Sequence, residues 1–276
     1  MIKELLNKRL FGKIYSLLSF QRNKNYIPFK YKSFSMPERL YSDFFISNNK
    51  FFKNIFIAEN IYGLLTSKEE EVIHKLTFYS HEGKLLGSQV CETKELISKI
   101  ELPKFDVQET YISFTHDSLP SKLDLIRNID LGLQNKLSLQ HRGYTNYIKN
   151  ENSIGSIVHG NFGAIMPSDL EKSAAIIRSK KYIYTPVYFF EKINIYHLVF
   201  NNPTHKLLKI EIKGQNSLDK SFFKFNLSIS SLGTEYLKIK DYTGKLSFIS
   251  KLPICRCIIF KNPEIYQNSD FDVFHS

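Results

Sequence analysis

The sequence has no tryptophan, only three cysteines and three methionines, and no uninterrupted apolar run of 18 residues. Without such a run, no membrane-spanning helix is expected. Sequences of the types GxGxxG, Walker A and GxSxG are also missing, which disfavours the common nucleotide-dependent enzymes and the serine hydrolases. We therefore expect no cofactor.

The cysteines do not form a recognisable disulfide or zinc pattern. Cys255 and Cys257 are separated by one residue, so a bridge between them in a strand would be strained. No CxxC spacing occurs, and we interpret all three as buried thiols in a reducing compartment. The default location is cytoplasmic, and Lys8, Arg9 and Lys13 interrupt what would be the apolar part of an export signal.

Positive charge is concentrated at the N-terminus. Residues 1–32 carry eight basic residues against the single acid Glu4, which is +7 of the formal net charge of +11. The remainder of the chain is therefore close to neutral, and the evidence for a nucleic-acid partner is weak. The aromatic residues that could stack on bases lie in predicted strand interiors instead.

The same N-terminal segment has the periodicity of an amphipathic helix. Its apolar residues recur at spacings of three, four and one and fall on one stripe: Ile2, Leu5, Leu6, Leu10, Ile14, Leu17 and Leu18. Such a helix can dock on the protein's own body, bind a partner protein, or lie on an anionic membrane surface, which would make the protein peripheral to the membrane. The stripe does not distinguish these three.

From about residue 40 the pattern favours β-structure. Short runs rich in Ile, Phe and Tyr alternate with turns, for example Val72 to Tyr79 and Leu246 to Ser250. We predict a mainly β fold of two tandem antiparallel β-sandwich domains, immunoglobulin-like in general layout, with a few short helices. Two of these helices are expected within 123–139 and 168–178.

This interpretation divides the chain into five segments. They are a basic amphipathic helix and linker (1–39), a first sandwich (40–122), a helical and Gly/His-bearing loop connector (123–180), a second sandwich (181–264) and a tail (265–276).

Two short matches suggest that the halves are tandem copies of one unit. Asn60-Ile61-Tyr62 resembles Asn194-Ile195-Tyr196, and His74-Lys75-Leu76 resembles His205-Lys206-Leu207. Because three-residue matches also arise by chance, unrelated sandwiches are the alternative.

The central connector contains the strongest candidate for a binding site. Between positions 141 and 163, glycines alternate with hydrogen-bonding and aromatic residues. Arg142 could contact an anionic or hydroxyl-rich group, and His141 and His159 could donate or accept hydrogen bonds. Asn161 adds an amide and Tyr144 a flat face. This mixture suits a carbohydrate or an anionic metabolite, whereas the alternative is a connector whose polar groups cap the backbone.

These residues favour a non-catalytic binding or accessory protein. One alternative is an enzyme on a sugar-like substrate with His159 as general base and Arg142 holding an oxyanion. Another is a structural or assembly protein acting through residues 1–22. Two histidines are too few for a catalytic metal site, so no metal is expected.

Overall fold

The computed structural model describes residues 41–60, 71–120, 140–141, 143–149, 155–165, 179–204, 206–252, 255–264 and 271–276. These residues form strands and turns, and none of them is helical, which confirms the mainly β prediction. The N-terminal helix and the two connector helices were predicted at positions outside the described residues. No helix among the described residues is long and apolar enough to cross a membrane.

The strands, in chain order, are β1 (Tyr41–Asn48), β2 (Lys53–Glu59), β3 (Val72–Tyr79), β4 (Leu85–Thr93), β5 (Ile97–Glu101), β6 (Tyr111–Pro120), β7 (Gln140–His141), β8 (Gly143–Ile148), β9 (Ser156–His159), β10 (Asn161–Ile165), β11 (Tyr182–Tyr184), β12 (Tyr196–Asn201), β13 (Leu208–Gln215), β14 (Phe222–Ile229), β15 (Thr234–Ile239), β16 (Leu246–Ser250), β17 (Ile258–Lys261) and β18 (Asp272–His275).

The described residues between 41 and 165 form the first half, in which two sheets pack against each other. Sheet I has the order β10-β1-β6-β3-β4 with β7 beside β1, and sheet II has the order β5-β2-β8-β9. Only the short pairing of β7 with β1 is parallel among the pairings described. Alternate residues of both sheets meet in one core: Phe45, Phe56, Ala58, Leu76, Phe78, Ile100, Leu102, Ile112 and Phe114.

The described residues between 179 and 276 form the second half, which also consists of two sheets. Sheet III has the order β11-β16-β13-β14 and sheet IV the order β15-β12-β17-β18. Their inward-facing residues form a second core that includes Tyr196, Leu198, Ile210, Phe248 and Ile259. Cys255 and Cys257 are buried in this core as free thiols, as predicted, whereas Cys91 is only half-buried. Burial raises the pKa of Cys255 to about 12, so its thiol stays protonated.

The two halves share one strand order. The pairing β1-β6-β3-β4 in sheet I recurs as β11-β16-β13-β14, and β5-β2-β8-β9 recurs as β15-β12-β17-β18. The backbone N–H of Asn60 donates to Leu96 O (2.9 Å) just before β5, and that of Asn202 donates to Gly233 O (2.9 Å) just before β15. In this strand order Asn60 follows β2 as Asn202 follows β12, which differs from the match of Asn60 with Asn194 in the sequence. The second match involves His205, which lies outside the described residues.

The halves are in direct contact through an apolar cluster and hydrogen bonds. Ile46, Phe52, Tyr111, Tyr147 and Val158 of the first half pack against Val199, Ile258, Phe260 and Val273 of sheet IV. The Phe260 ring lies 4.9 Å from the Tyr111 ring and 4.9 Å from the Tyr147 ring, measured between centroids. The Asn201 Nδ2 donates to Phe44 O (3.0 Å), and the Ser113 hydroxyl donates to Leu232 O (2.9 Å). The outer face of sheet IV is thus an internal surface.

Two parts of the predicted layout differ from the structure. The described parts of the connector are strands β7 to β10 rather than a loop, because β8 completes sheet II beside β2 and β10 pairs with β1. Most of the described tail is strand β18, held by antiparallel pairing with β17. The immunoglobulin-like layout is not confirmed: such domains place their first strand beside their second, whereas here the first strand of each half lies beside the sixth.

Candidate functional site

Two of the predicted site residues, Tyr144 and His159, are neighbours. They are register partners on β8 and β9, on the outer face of sheet II. Their side chains share this face because residues of paired antiparallel strands that stand opposite each other point the same way. Tyr144 is half-buried and His159 is exposed. Ile157 on the same face is 56% exposed, and Tyr144 and His159 do not by themselves enclose a ligand.

His159 stacks on a histidine of the other half. Its ring centroid is 4.0 Å from that of His275 on β18, and the His275 Nε2 lies 2.8 Å from the His159 backbone oxygen. The His159 Nδ1 is 2.9 Å from Gly160 O. Burial, and to a smaller extent the charge of His159, lower the pKa of His275 to about 3. A neutral His275 therefore donates its Nε2–H to that carbonyl and joins β18 to β9.

The other three predicted residues are placed elsewhere or lie outside the described residues. Asn161 is buried between the halves, where its Nδ2 donates to Asn201 Oδ1 (3.2 Å). His141 lies on the short strand β7 beside β1, and Arg142 lies outside the described residues. The structure thus brings Tyr144 and His159 together and places Asn161 in a structural contact.

A cleft of about 540 Å³ lies where the two halves meet. The first half contributes the turn after β3 and the segment that leads into β6, and the second half contributes the start of β15. The lining residues are His81, Val107, Gln108, Glu109, Thr110, Tyr111, Thr234, Glu235 and Tyr236. Its volume falls in the range of roughly 300–1,000 Å³ that is usual for small-molecule sites, and domain junctions are common places for them.

Close contact between two turns forms one wall of the cleft. Gly83 has a φ of +82°, and a Cβ there would collide with the backbone oxygen of Ser231. The backbone N–H of Thr234 donates to His81 O (3.1 Å). Glycine is therefore needed in the first turn both for its backbone conformation and for the approach of the second half. This contact fixes His81 beside β15.

The two carboxyl groups of the cleft have opposite electrostatic environments. Burial of Glu109 opposes its ionisation, but its own backbone N–H and His81 outweigh that effect and hold its pKa below the usual value. The His81 Nδ1 is 2.6 Å from Glu109 Oε1. Burial raises the pKa of Glu235, and His81 only partly offsets this. The cleft therefore pairs a firmly ionised carboxylate with a carboxyl that is more easily protonated.

The floor of the cleft is aromatic. The rings of Tyr111 and Tyr236 meet edge to face, with centroids 5.1 Å apart. Tyr111 is buried and its hydroxyl lies 2.8 Å from Nδ1 of His197, whereas Tyr236 is 38% exposed and lines the cleft. Burial raises the pKa of Tyr111 well above its usual value, so the phenol remains a neutral hydrogen-bond donor.

Beneath Tyr111, a buried polar chain continues into the second half. The His197 Nε2 lies 3.0 Å from Glu264 Oε1, and Lys238 binds the other oxygen of that carboxylate. Burial lowers the pKa of His197 to about 4, although the carboxylate of Glu264 opposes this. A neutral His197 accepts the Tyr111 hydroxyl at Nδ1, and its Nε2 lies within ion-pair distance of Glu264. These polar contacts hold the Tyr111 side chain in place.

The sequence analysis did not identify the cleft residues. They come from positions 81, 109–111 and 234–236, which only the folded chain brings together. One signal was present: Glu109-Thr110-Tyr111 and Thr234-Glu235-Tyr236 are two short segments with the same three residue types, each at the start of a strand or just before one. Glycine content drew attention to the connector instead.

A separate groove of about 690 Å³ lies on the outer face of sheet III, and its lining includes four lysines: Lys181, Lys206, Lys209 and Lys251. The one acid in the groove, Glu211, is bound by Lys213 and Lys224, each at 3.1 Å. Charge therefore separates the two concave sites, because the interhalf cleft is acidic and this groove is basic. In the described ranges, no group of three or more His, Cys, Asp or Glu residues is arranged to hold a metal ion.

Comparison with known proteins adds little. No protein-family model matches the chain, and no curated protein matches it. A solved structure described as the M60 catalytic domain with the CBM51-1 and CBM51-2 domains from Clostridium perfringens ZmpB is 8% identical, with a TM-score of 0.19. The likeness covers 77% of this chain and 32% of that one. At this TM-score it carries no argument about fold or function.

Proposed function

We propose that the protein is a non-catalytic carbohydrate-binding or accessory protein and that it binds its ligand in the cleft between the two halves. The observation that carries this proposal is a cleft whose lining combines the partly exposed Tyr236 with two acidic residues, Glu109 and Glu235. Sugar rings have apolar C–H faces that pack on aromatic rings, and their hydroxyls donate hydrogen bonds to carboxylates.

The charge of the cleft favours the carbohydrate among the two ligand classes suggested by the sequence. An anionic metabolite in the cleft would face Glu109, which is held ionised, at short range, and like charges at such distances repel. A neutral or amine-bearing saccharide meets no such penalty. An anionic small molecule suits the lysine groove of sheet III better, because its lining carries four lysines and a neutralised acid.

The proposal can be tested by titrating neutral oligosaccharides, first by glycan array and then by calorimetry. Glu235→Gln and Tyr236→Ala are expected to weaken binding by about 10- to 100-fold, the cost of losing a hydrogen bond to a charged group or a stacking face. Glu95→Gln is the matched control, since Glu95 is exposed and lies away from the cleft. Unchanged affinity in both cleft variants would contradict the proposal.

The two carboxyl groups also support a second candidate, glycoside hydrolysis. A carboxyl with a raised pKa can protonate a leaving oxygen, while an ionised carboxylate can activate water or attack the sugar. Glu235 and Glu109 have these two environments. Turnover of chromogenic glycosides, abolished in Glu235→Gln, would favour this candidate over simple binding, whereas binding without turnover would exclude it for those substrates.

Catalysis by His159 and assembly through residues 1–22 remain separate proposals. If turnover is found, its loss in His159→Ala with retention in Glu235→Gln would assign the general base to His159. If residues 1–22 mediate assembly, their deletion should abolish self-association and leave the thermal unfolding of the body unchanged.

A further inference from the structure

We infer that the outer face of sheet II is a self-association surface on which a second copy of this chain docks. The inference does not depend on the function of the cleft. It begins with the shared strand order of the two halves, which makes sheet II the counterpart of sheet IV. The halves are best understood as copies of one folded unit.

Strand register extends the correspondence to single residues. In sheet II, Ile57 pairs with Tyr144, which pairs with His159. In sheet IV, Val199 pairs with Ile258, which pairs with His275. The next row is Ile55, Asn146 and Ile157 in the first half, and its counterpart is His197, Phe260 and Val273 in the second.

The two corresponding faces have different surroundings. In sheet IV the face is covered by the first half, and Val199, Ile258 and Phe260 are fully buried. In sheet II the residues of the same face are open, and Ile157 is 56% and Ile97 57% exposed. Ile55, Ile57 and Tyr144 are half-buried on the same surface. The first half therefore exposes a face as rich in aliphatic side chains as the one that the second half buries.

The charges around this face favour a second copy as the occupant. Lys53, Lys99, Glu59 and Glu101 alternate on the neighbouring strands β2 and β5, and Lys53 pairs with Glu101 at 2.9 Å. These charges cancel, so two such faces do not repel each other. The outer face of sheet III carries the lysine groove instead and would repel a copy. The neutral face of sheet II, unlike the basic face of sheet III, can therefore pair with its own copy in a symmetric dimer.

The size of the face predicts a weak dimer. Four strands about 4.8 Å apart and about six residues long, at about 3.3 Å per residue, give a face of roughly 400 Å² on each copy. This is below the roughly 800 Å² per partner of a standard stable interface, so we expect a reversible monomer–dimer equilibrium at micromolar or higher concentration.

Sedimentation velocity of the full chain over a range of concentrations tests the inference. We expect a rise in sedimentation coefficient with concentration that Ile157→Glu and Ile97→Glu each abolish. Ile183→Glu is the matched control, because Ile183 is 71% exposed on the outer face of sheet III. All three variants should keep the wild-type thermal unfolding, since each replaces a side chain that is mostly in water.

Three outcomes would overturn the inference. They are a wild-type protein that stays monomeric at millimolar concentration, a dimer that persists in both sheet II variants, and a dimer lost only on deletion of residues 1–22. The last result would assign assembly to the N-terminal segment instead. Ligand binding in the cleft is measured separately with Glu235→Gln. An absence of self-association would therefore not contradict the proposed function.

Discussion

Acidification between pH 6.5 and pH 4 should destabilise the protein through His197. The side chain is fully buried, with Tyr111 on Nδ1, Glu264 on Nε2 and Lys238 beyond Glu264. Burial lowers its pKa to about 4 in the folded state. In the unfolded chain the imidazole has its ordinary pKa of about 6.5. The unfolded state therefore binds the proton first as the pH falls, and stability that is complete above pH 6.5 is lost towards pH 4.

The size of this effect follows from the two pKa values. The difference between about 6.5 and about 4, at roughly 1.4 kcal/mol for each pH unit, amounts to about 3 kcal/mol of unfolding free energy. His275, with a pKa of about 3, contributes in the same direction, and its share continues to lower pH. Urea unfolding of the wild type at intervals from pH 7 to pH 4 measures the total loss of unfolding free energy, which includes both histidines.

The variant His197→Gln isolates the contribution of His197. It is expected to be less stable than the wild type at pH 7, because the buried contacts to Tyr111 and Glu264 are weakened. Its unfolding free energy should then fall by about 3 kcal/mol less than that of the wild type on going from pH 7 to pH 4. Equal pH dependence in the two proteins would refute the assignment of a neutral, buried His197.

Two further predictions concern the contact between the halves. Gly83→Ala should lower the unfolding free energy by about 2–3 kcal/mol, because alanine is strained at a φ of +82° and its Cβ meets the Ser231 oxygen. Gly87→Ala, whose Cβ would lie an ordinary 3.6 Å from the Phe105 ring, should change it little. Phe260→Ala should cost about 3–5 kcal/mol, as expected for a buried aromatic side chain, whereas Phe222→Ala, 86% exposed, should stay within about 0.5 kcal/mol. Chemical denaturation of each variant measures these unfolding free energies. Equal losses for the two glycine variants, or for the two phenylalanine variants, would contradict the explanation.

Sequence patterns were most informative where strands alternate in polarity. The segment Val72 to Tyr79 was predicted as a strand and is β3, and Leu246 to Ser250 is β16. Residues of these strands point alternately into a core and outward, which is the periodicity that a sequence displays directly. The mainly β composition was therefore predictable.

The connector was misjudged because glycine has more than one use. Gly143 suggested a loop, yet it lies in β8, where a Cβ would collide with the Phe56 ring. The glycine is required by close packing against the neighbouring strand β2 of the same sheet and not by a turn. Only the folded structure distinguishes these two uses, since both appear in the sequence as the same residue.

The cleft was not predictable for a different reason. Glu109 and Glu235 lie far apart in the chain and line one cleft through the packing of one half on the other, and nothing local in either segment specifies that packing. Tyr144 and His159, by contrast, lie on strands that are close in sequence and pair directly. The proximity of strands that are close in sequence could thus be predicted, whereas the packing of one half on the other could not.

The pairing of β1 with β10 determines how late during synthesis sheet I can be completed. Phe44 pairs with Asn161, so the edge of sheet I stays open during synthesis until the chain has emerged well beyond the middle of the sequence. Contacts between such distant positions form slowly, and unpaired strand edges promote aggregation. β1 also pairs with β6 through Ser47 and Ile112, which gives a nascent chain an earlier partner on its other side. The first half is therefore expected to fold on the ribosome only after β10 has left the exit tunnel.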